Sequence, residues 1–196
     1  MKITRISQQL KNPDRVNIFV DGKYSFSLGL NQVLETNIKA NLEINEADLK
    51  NFQKISSDGK LKMRALEWLT LRPHSKKELK DYLKRKKLEP DQIEAWVDYF
   101  QKMGYQNNEN FTRWWIEQRL NKQKSKRFIE SELRAKGVDN ETINSSFQNS
   151  IDEAAILKEL INKKRKLAKY QDDKKLIEYL LRQGFSYSLI KEVLAE

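Results

Sequence analysis

The sequence contains no cysteine and only one histidine, His74, among its 196 residues. The lack of cysteine excludes disulfide bonds and cysteine-ligated metals. A single histidine leaves no ligand set for a zinc site and removes most arrangements in which a base activates a nucleophile. The sequence also lacks a glycine-rich loop of the kinds that bind phosphate. These absences predict a protein that is not an enzyme and that uses neither a cofactor nor a metal.

Long apolar segments are absent as well. No run approaches the roughly 18 consecutive apolar residues of a membrane-spanning helix, and the first residues, MKITRISQQL, lack the hydrophobic stretch of a signal peptide. We therefore expect a cytoplasmic protein that does not associate with membranes. Its stability must come from packing alone.

Positive charge is in excess and is unevenly distributed. The formal net charge is +10. Residues 1–58 hold 8 basic and 7 acidic side chains, net +1, so residues 59–196 hold the other 30 and 21, net +9. A lysine-rich surface attracts phosphate backbones, anionic lipids and acidic proteins, and the charge alone does not choose among them.

One apolar pattern occurs three times, in segments that begin at Ser75, Ser125 and Asp172. The equivalent positions are Leu79, Leu83, Leu88, Ile93 and Val97, then Ile129, Leu133, Val138, Ile143 and Phe147, then Leu176, Leu180, Phe185, Ile190 and Leu194. Five positions that agree across three copies indicate a repeated supersecondary unit. Such a unit cannot bury its apolar face alone, so neighbouring copies must stack.

Each copy is predicted to contain three helices, with the repeats at residues 59–108, 109–152 and 153–196. In the first copy, Pro73 ends the first helix, and Ser75 with Glu78 forms a capping box that begins the second. The predicted N-caps of the second helices are Ser75, Ser125 and Asp172, their left-handed end residues are Lys87, Gly137 and Gly184, and the third helices begin near Asp91, Asp139 and Ser186.

Residues 1–58 have a different pattern and form a predicted head. Two runs of alternating apolar and polar residues, 16–20 and 24–28, flank Asp21 and Gly22, which is a strong signal for a type I′ hairpin. An earlier strand near Ile3 would complete a small antiparallel sheet. Short helices are predicted at residues 31–38 and 46–55, and the polar residues 56–60 are the expected boundary to the first repeat.

Three phrases carry a family resemblance: ALEWLTLRPHSKKELKDYL, YFQKMGYQNNENFTRWWIEQRL and KSKRFIESELRAKGV. They resemble the RecX family, bacterial modulators of the RecA recombinase, over about residues 60 to 140. The predicted head is similar to the N-terminal extension of some members. Lys87 departs from the pattern, since glycine is common at its position.

The resemblance implies a mainly α fold, with tandem three-helix repeats in a curved, elongated array and a small head that contains a β-hairpin. It implies a monomeric regulator that binds RecA and lies along the groove of the RecA filament on DNA. Such a regulator would lower ATP hydrolysis, strand exchange and filament growth. Single- or double-stranded DNA is a second candidate partner.

Basic residues are the candidate contacts with RecA or DNA: Lys76, Lys77, Arg85, Lys86, Lys122, Lys124, Lys126, Arg127, Lys163, Lys164, Arg165 and Lys166. The group around Ser125 lies at a helix N-terminus, where the helix dipole disfavours cations, so a functional reason is plausible there. The basic run at residues 84–87 lies at a helix C-terminus, where the dipole favours cations, so structure alone could explain it. Four basic residues in succession exceed what capping needs, so contact with a partner is an equal alternative. A solvated helix face is an alternative for the run at residues 163–166.

Trp114 and Trp115 lie beside Arg113 and Arg119, a composition found where aromatic rings stack on nucleic-acid bases. Adjacent helical positions point about 100° apart. We therefore expect one indole in a core and the other between two repeats.

Two further hypotheses stay open from the sequence. The positive charge would also suit a DNA-binding module with no recombinase partner. An enzyme would need a cleft in the head, near Asp21 and Tyr24.

Overall fold

The computed structural model describes residues 1–147 and 151–195. It divides into two compact units, Met1–Trp68 and Leu69–Glu196. The first unit begins with three strands, β1 (Ile3–Gln8), β2 (Arg15–Val20) and β3 (Lys23–Gly29), followed by helix α1 (Leu30–Thr36). Helix α2 (Glu46–Leu71) begins in this unit.

The strands form an antiparallel sheet in the order β1-β2-β3. Asp21 and Gly22 join β2 to β3 with φ angles of 47° and 82°, the two positive values that a type I′ turn requires. The predicted hairpin and the earlier strand are therefore confirmed. The core of this unit consists of Ile3, Val16, Ile18, Val20, Phe26, Leu28, Ile38 and Ile44.

The end of the short helix predicted at residues 46–55 is wrong, because α2 passes through residues 56–60 without interruption. Gly59 faces the amide end of the Gln32 side chain from α1, and a Cβ atom there would lie 2.4 Å from its Nε2 atom. Ser56 is buried, and its hydroxyl donates to the carbonyl of Ser27 at 2.6 Å. The repeat limits themselves stay predictions.

The second unit consists of helices that follow one another in threes. After the end of α2 come α3 (Lys76–Arg85) and α4 (Pro90–Lys102), and the second set is α5 (Asn108–Leu120), α6 (Lys126–Ala135) and α7 (Asn140–Ser146). The third set is α8 (Glu153–Arg165), α9 (Asp173–Arg182) and α10 (Tyr187–Ala195), with a 3₁₀ turn at Ala168–Tyr170. The predicted tandem three-helix fold is confirmed.

The second helix of each repeat begins at its predicted cap. The hydroxyls of Ser75 and Ser125 each accept a hydrogen bond at 3.1 Å from the amide three residues later, and Asp172 accepts from the Lys174 amide at 2.8 Å. The residues that follow these helices, Lys87, Gly137 and Gly184, have φ angles of 63°, 75° and 95°. The three left-handed ends are therefore confirmed, although lysine occupies one of them.

The third helices begin close to the predicted residues. Asp139 caps α7 by accepting from the Thr142 amide at 2.8 Å, and Ser186 accepts from the Leu189 amide at 3.2 Å at the start of α10. Helix α4 begins at Pro90 rather than Asp91, because the fixed φ of proline suits the first helical position. The aligned apolar residues are buried except Leu88 and Leu194, which are partly buried.

Candidate binding surface

The first two repeats meet where the N-terminus of α3 contacts the C-terminus of α6, and we call this contact the first junction. The ammonium group of Lys77 donates to the carbonyl of Ala135 at 2.8 Å. The ammonium group of Lys136 pairs with the carboxylate of Glu78 at 2.6 Å. The amide of Lys76 donates to the side chain of Asn108 at 2.9 Å, so the first residue of α5 satisfies the first amide of α3.

Glu78 is the centre of a charged cluster at the first junction. Arg72 pairs with its carboxylate at 3.0 Å, and the buried ring of His74 lies with Nδ1 at 3.3 Å from it. Burial raises the pKa of Glu78, but hydrogen bonds with His74, Arg72 and Lys136 outweigh burial and hold that pKa well below its ordinary value. His74, the single histidine of the sequence, is therefore a buried member of a partly exposed charged cluster.

The second junction repeats this contact between the N-terminus of α6 and the C-terminus of α9. The amide of Ser125 donates to the carbonyl of Gln183 at 3.2 Å, and the ammonium of Lys124 donates to the Gln183 side chain at 2.6 Å. Burial lowers the pKa of Lys124. The amide of Lys126 donates to the carboxylate of Glu153 at 2.7 Å, which is the counterpart of the Asn108 contact at the first junction.

Two of the four basic residues in the run at residues 163–166 contact groups of their own repeat. The ammonium of Lys164 lies 4.7 Å from the centre of the Tyr179 ring, a cation–π contact. The guanidinium of Arg165 donates to the carbonyls of Tyr170 and Gln171 at 3.2 and 2.9 Å, and it also pairs with Asp173. These two residues stabilise the third repeat.

The candidate residues therefore fall into two groups. Those held within the fold are Lys76, which is partly buried, and Lys77, Lys124, Lys164 and Arg165, whose side chains bind groups of the same or a neighbouring repeat. Those that are exposed are Arg85, Lys86, Lys122, Lys126, Arg127, Lys163 and Lys166. Two of these also make cation–π contacts, Lys86 with the Tyr82 ring at 5.5 Å and Lys126 with the Phe147 ring at 5.3 Å. The exposed group supplies the cations that a partner can reach.

The two tryptophans lie as the helical spacing predicts. Trp115 is buried in the core of the second repeat, and its indole N–H donates to Glu132 at 3.0 Å. Trp114 is partly buried, and the guanidinium of Arg72 from the first repeat lies 5.2 Å from its ring centre. One indole is in a core and the other contacts a neighbouring repeat, so neither is a free stacking platform.

A groove of about 490 Å³ lies beside the second junction, and we call it the α6–α9–α10 groove. Its lining residues are Arg127, Phe128, Ser131, Leu181, Gly184, Phe185, Ser186 and Tyr187. None of these residues is acidic. Of this set, only Arg127 was predicted from the sequence as a candidate contact with a partner. The other lining residues come together from three helices, and no local sequence pattern reveals that these helices are close.

The head offers little support for a catalytic cleft. The carboxylate of Asp21 accepts from the amide of Lys2 at 2.7 Å, and it lines an open groove with Glu43 and Asp48. Tyr24 is absent from that lining and contacts Phe19 edge-on, with the ring centres 6.1 Å apart. Among residues 1–147 and 151–195, no group of three or more histidine or acidic side chains could hold a metal ion.

A search of the same residues for membrane spans finds no helix with the length and apolar character needed to cross a bilayer.

Comparison with known proteins decides the family. Models for the N-terminal domain of the regulatory protein RecX and for the first, second and third RecX three-helix domains match residues 1–45, 62–100, 107–146 and 151–194. The regulatory protein RecX of Bacillus licheniformis is 31% identical over 201 residues, which cover 99% of this chain and 76% of that protein. The chain belongs to the RecX family.

Other RecX proteins agree with this assignment. The regulatory protein RecX of Listeria monocytogenes is 30% identical, over 100% of this chain and 76% of its own length. That of Clostridium beijerinckii is 28% identical, over 98% of this chain and 94% of its own length.

Solved structures share the fold. A crystal structure of a regulatory protein RecX has a TM-score of 0.74 at 20% identity, and the match covers 100% of this chain and 99% of that one. The crystal structure of RecX from Lactobacillus salivarius has a TM-score of 0.58 at 21% identity, covering 69% and 93%.

Proposed function

We propose that this RecX family member binds the RecA recombinase on its DNA filament and lowers ATP hydrolysis, strand exchange and filament growth. It would thereby regulate recombination and DNA repair, as a monomer in the cytoplasm and without catalysis of its own. The observation that carries the proposal is the match to RecX regulatory proteins along nearly the whole chain. The predicted repeat limits, 59–108, 109–152 and 153–196, belong to the same proposal.

The exposed cations support a binding role. Lys126 and Arg127 lie exposed in the first turn of α6, where the helix dipole disfavours positive charge, and Lys122 lies exposed just after the end of α5. Lys126 lies 5.3 Å from the ring centre of Phe147, whereas Arg127 has no ion-pair partner among the described residues, so its position calls for a reason outside the fold. A partner that presents carboxylates or phosphates would supply that reason.

The test is the DNA-dependent ATPase activity of RecA, with this protein titrated into RecA on single-stranded DNA. We expect activity to fall at protein concentrations too low to cover the free DNA. A variant with Lys122, Lys126 and Arg127 replaced by glutamate should lose most of this effect. A control variant with glutamate at Lys23, Lys102 and Arg113, which are exposed and outside the candidate set, has the same net charge and should act like the wild type.

A second candidate function is DNA binding without a recombinase partner, favoured by the net charge of +9 in residues 59–196. This function predicts that ATPase activity falls only as the DNA becomes saturated and recovers when DNA is added. It also predicts an affinity for DNA alone that falls steeply with salt concentration. An unchanged ATPase rate at stoichiometric protein would reject the RecA proposal.

A further inference from the structure

The α6–α9–α10 groove exposes apolar side chains that the fold does not require. Leu181, in the last turn of α9, is 44% exposed, and Tyr187, at the start of α10, is 55% exposed. Phe128 is partly buried, and Gly184 and Phe185 lie beside it in the lining. Apolar rims of this kind around a concave site mark places where proteins bind other molecules.

The first junction shows that the same positions can be polar. In the repeat alignment, Phe128 corresponds to Glu78, Leu181 to Arg134, and Tyr187 to Asn140. At the first junction Glu78 binds Lys136 and Arg72, and Arg134 donates to Asn140 at 3.0 Å. Charged and polar pairs therefore cover this surface at the first junction, whereas apolar groups are left open at the second. This difference indicates that the apolar side chains at the second junction are exposed to bind a partner, because the first junction packs without them.

Charge identifies the kind of occupant. Arg127 lines the groove and has no ion-pair partner in the part of the chain that the structure describes. The ammonium of Lys191 lies 5.9 Å from the ring centre of Tyr187, so a second cation stands at the rim. The positive end of α10 adds to this field. An occupant that carries carboxylates is complementary to such a site.

The small number of cations and the apolar lining of the groove favour a protein segment over nucleic acid as its occupant. A strand of DNA is held by a row of cations that track its phosphates, whereas among the described residues this groove has one cation, Arg127, in its lining and a second, Lys191, at its rim. The apolar floor suits a single buried side chain, which is how a peptide anchors in a pocket.

We propose that the α6–α9–α10 groove binds an acidic segment of a protein partner, anchored by one aromatic or aliphatic side chain between Phe128 and Tyr187. Arg127 pairs with a carboxylate beside the anchor. The inference rests on the proposed function for the identity of the partner, because the segment is then part of RecA.

The groove is tested separately from the function, by nuclear magnetic resonance of the full chain with a synthetic pentapeptide, DEFED. We expect chemical-shift changes at the amides of Arg127, Gly184 and Tyr187. The peptide DESED, which keeps the charge and lacks the anchor, should produce little change. Equal changes with both peptides, or no change at these amides with DEFED, would overturn the proposal.

The partner is tested by fluorescence anisotropy of the chain, labelled at its N-terminus, with RecA assembled on single-stranded DNA. Arg127→Glu and Tyr187→Ser should each weaken binding about tenfold. The matched controls are Arg113→Glu, which makes the same charge change at an exposed site, and Tyr24→Ser, since Tyr24 is 54% exposed. Both controls should bind like the wild type.

The outcomes of the two experiments separate the claims. Wild-type affinity of both groove variants for the filament would overturn the groove as the contact with RecA. Loss of affinity for DNA alone, in proportion to the loss for the filament, would make the occupant nucleic acid and would overturn the proposal. A dimer in sedimentation that the groove variants abolish would make the occupant a second copy, and the proposal would again be overturned. If the wild-type chain does not bind the filament but does bind DEFED, the proposed function is rejected and the groove as a peptide-binding site is supported.

Discussion

The two junctions between repeats share a backbone arrangement and differ in the side chains placed on it. At each, a left-handed glycine, Gly137 or Gly184, follows one helix and lies against the capped N-terminus of another. The first junction adds the partly buried charge of Glu78 with its cationic partners. The second has Phe128 at the equivalent position and an open groove beside it.

The comparison shows which part of the contact is common to both junctions. The close approach of backbone and cap occurs at both junctions, so it defines how repeats stack. The surrounding side chains are free to differ, because neither the ion cluster nor the groove is needed for the shared geometry. One junction can then contribute cohesion while the other presents a surface for a partner.

The largest expected effect comes from the glycines of the two junctions. At Gly184, with φ of 95°, a Cβ atom would lie 2.4 Å from the Ser125 hydroxyl oxygen, and at Gly137 it would lie 3.0 Å from the Cβ atom of Lys77. We expect Gly184→Ala to lower the free energy of unfolding by roughly 3 kcal/mol and Gly137→Ala by roughly 2 kcal/mol, from backbone strain plus overlap. Urea denaturation measures both values.

Gly104→Ala is the control for backbone strain alone. Its φ is 77°, and no atom lies within 4 Å of the added Cβ. It should therefore cost only about 1 kcal/mol. If all three substitutions cost the same, close approach is unimportant at the junctions, and the shared geometry does not define the stacking.

Much of this geometry could be predicted from the sequence, because it depends on local signals. The Ser75 and Ser125 caps, the left-handed ends and the apolar positions of each repeat all follow from spacing within about twenty residues. Asp21 and Gly22 determined the hairpin in the same way, since their backbone conformation is intrinsic to the turn.

What could not be predicted depends on tertiary contacts. The polar residues 56–60 indicated a boundary, but α2 continues through them, with Gly59 against the side chain of Gln32 from α1. Lys77 and Lys124 remain candidate contacts for a partner, and the sequence does not reveal that their ammonium groups also bind Ala135 and Gln183 in neighbouring repeats. A cation that binds a main-chain carbonyl or an amide in another repeat leaves no charge pattern in the sequence that would reveal this role.

An intermediate effect is expected from removing the charge at the first junction. Glu78→Gln keeps the shape of the side chain but leaves Arg72 and Lys136 without their anion, at a cost of roughly 2 kcal/mol at pH 7. The folded-state pKa of Glu78 lies below its unfolded value of about 4.3. The carboxylate therefore stabilises the fold above about pH 4.3, and this contribution is lost as the pH falls further.

Urea denaturation of the wild type and Glu78→Gln between pH 7 and pH 2.5 measures this dependence. The difference in unfolding free energy should persist above about pH 5 and should shrink below about pH 4. Glu130→Gln is a control with a carboxylate that pairs with Arg134, whose side chain is 51% exposed, so it should change stability by less than about 1 kcal/mol. A difference for Glu78→Gln that does not vary with pH would mean that shape, not charge, holds the first junction together.

The smallest effect is expected at Lys87, which takes the place of glycine at the left-handed end of α3. Lys87 is exposed and has φ of 63°, so a glycine there would relieve backbone strain without altering a packed surface. We expect Lys87→Gly to raise the free energy of unfolding by about 0.5 kcal/mol, after the entropy that glycine adds to the unfolded chain. Lys86→Gly removes the same charge where φ is −85° and should instead lower stability by about 0.5 kcal/mol. Equal losses in the two variants would show that the lysine side chain stabilises this end more than its backbone strains it. Glycine at positions 137 and 184 would then be explained by close packing alone.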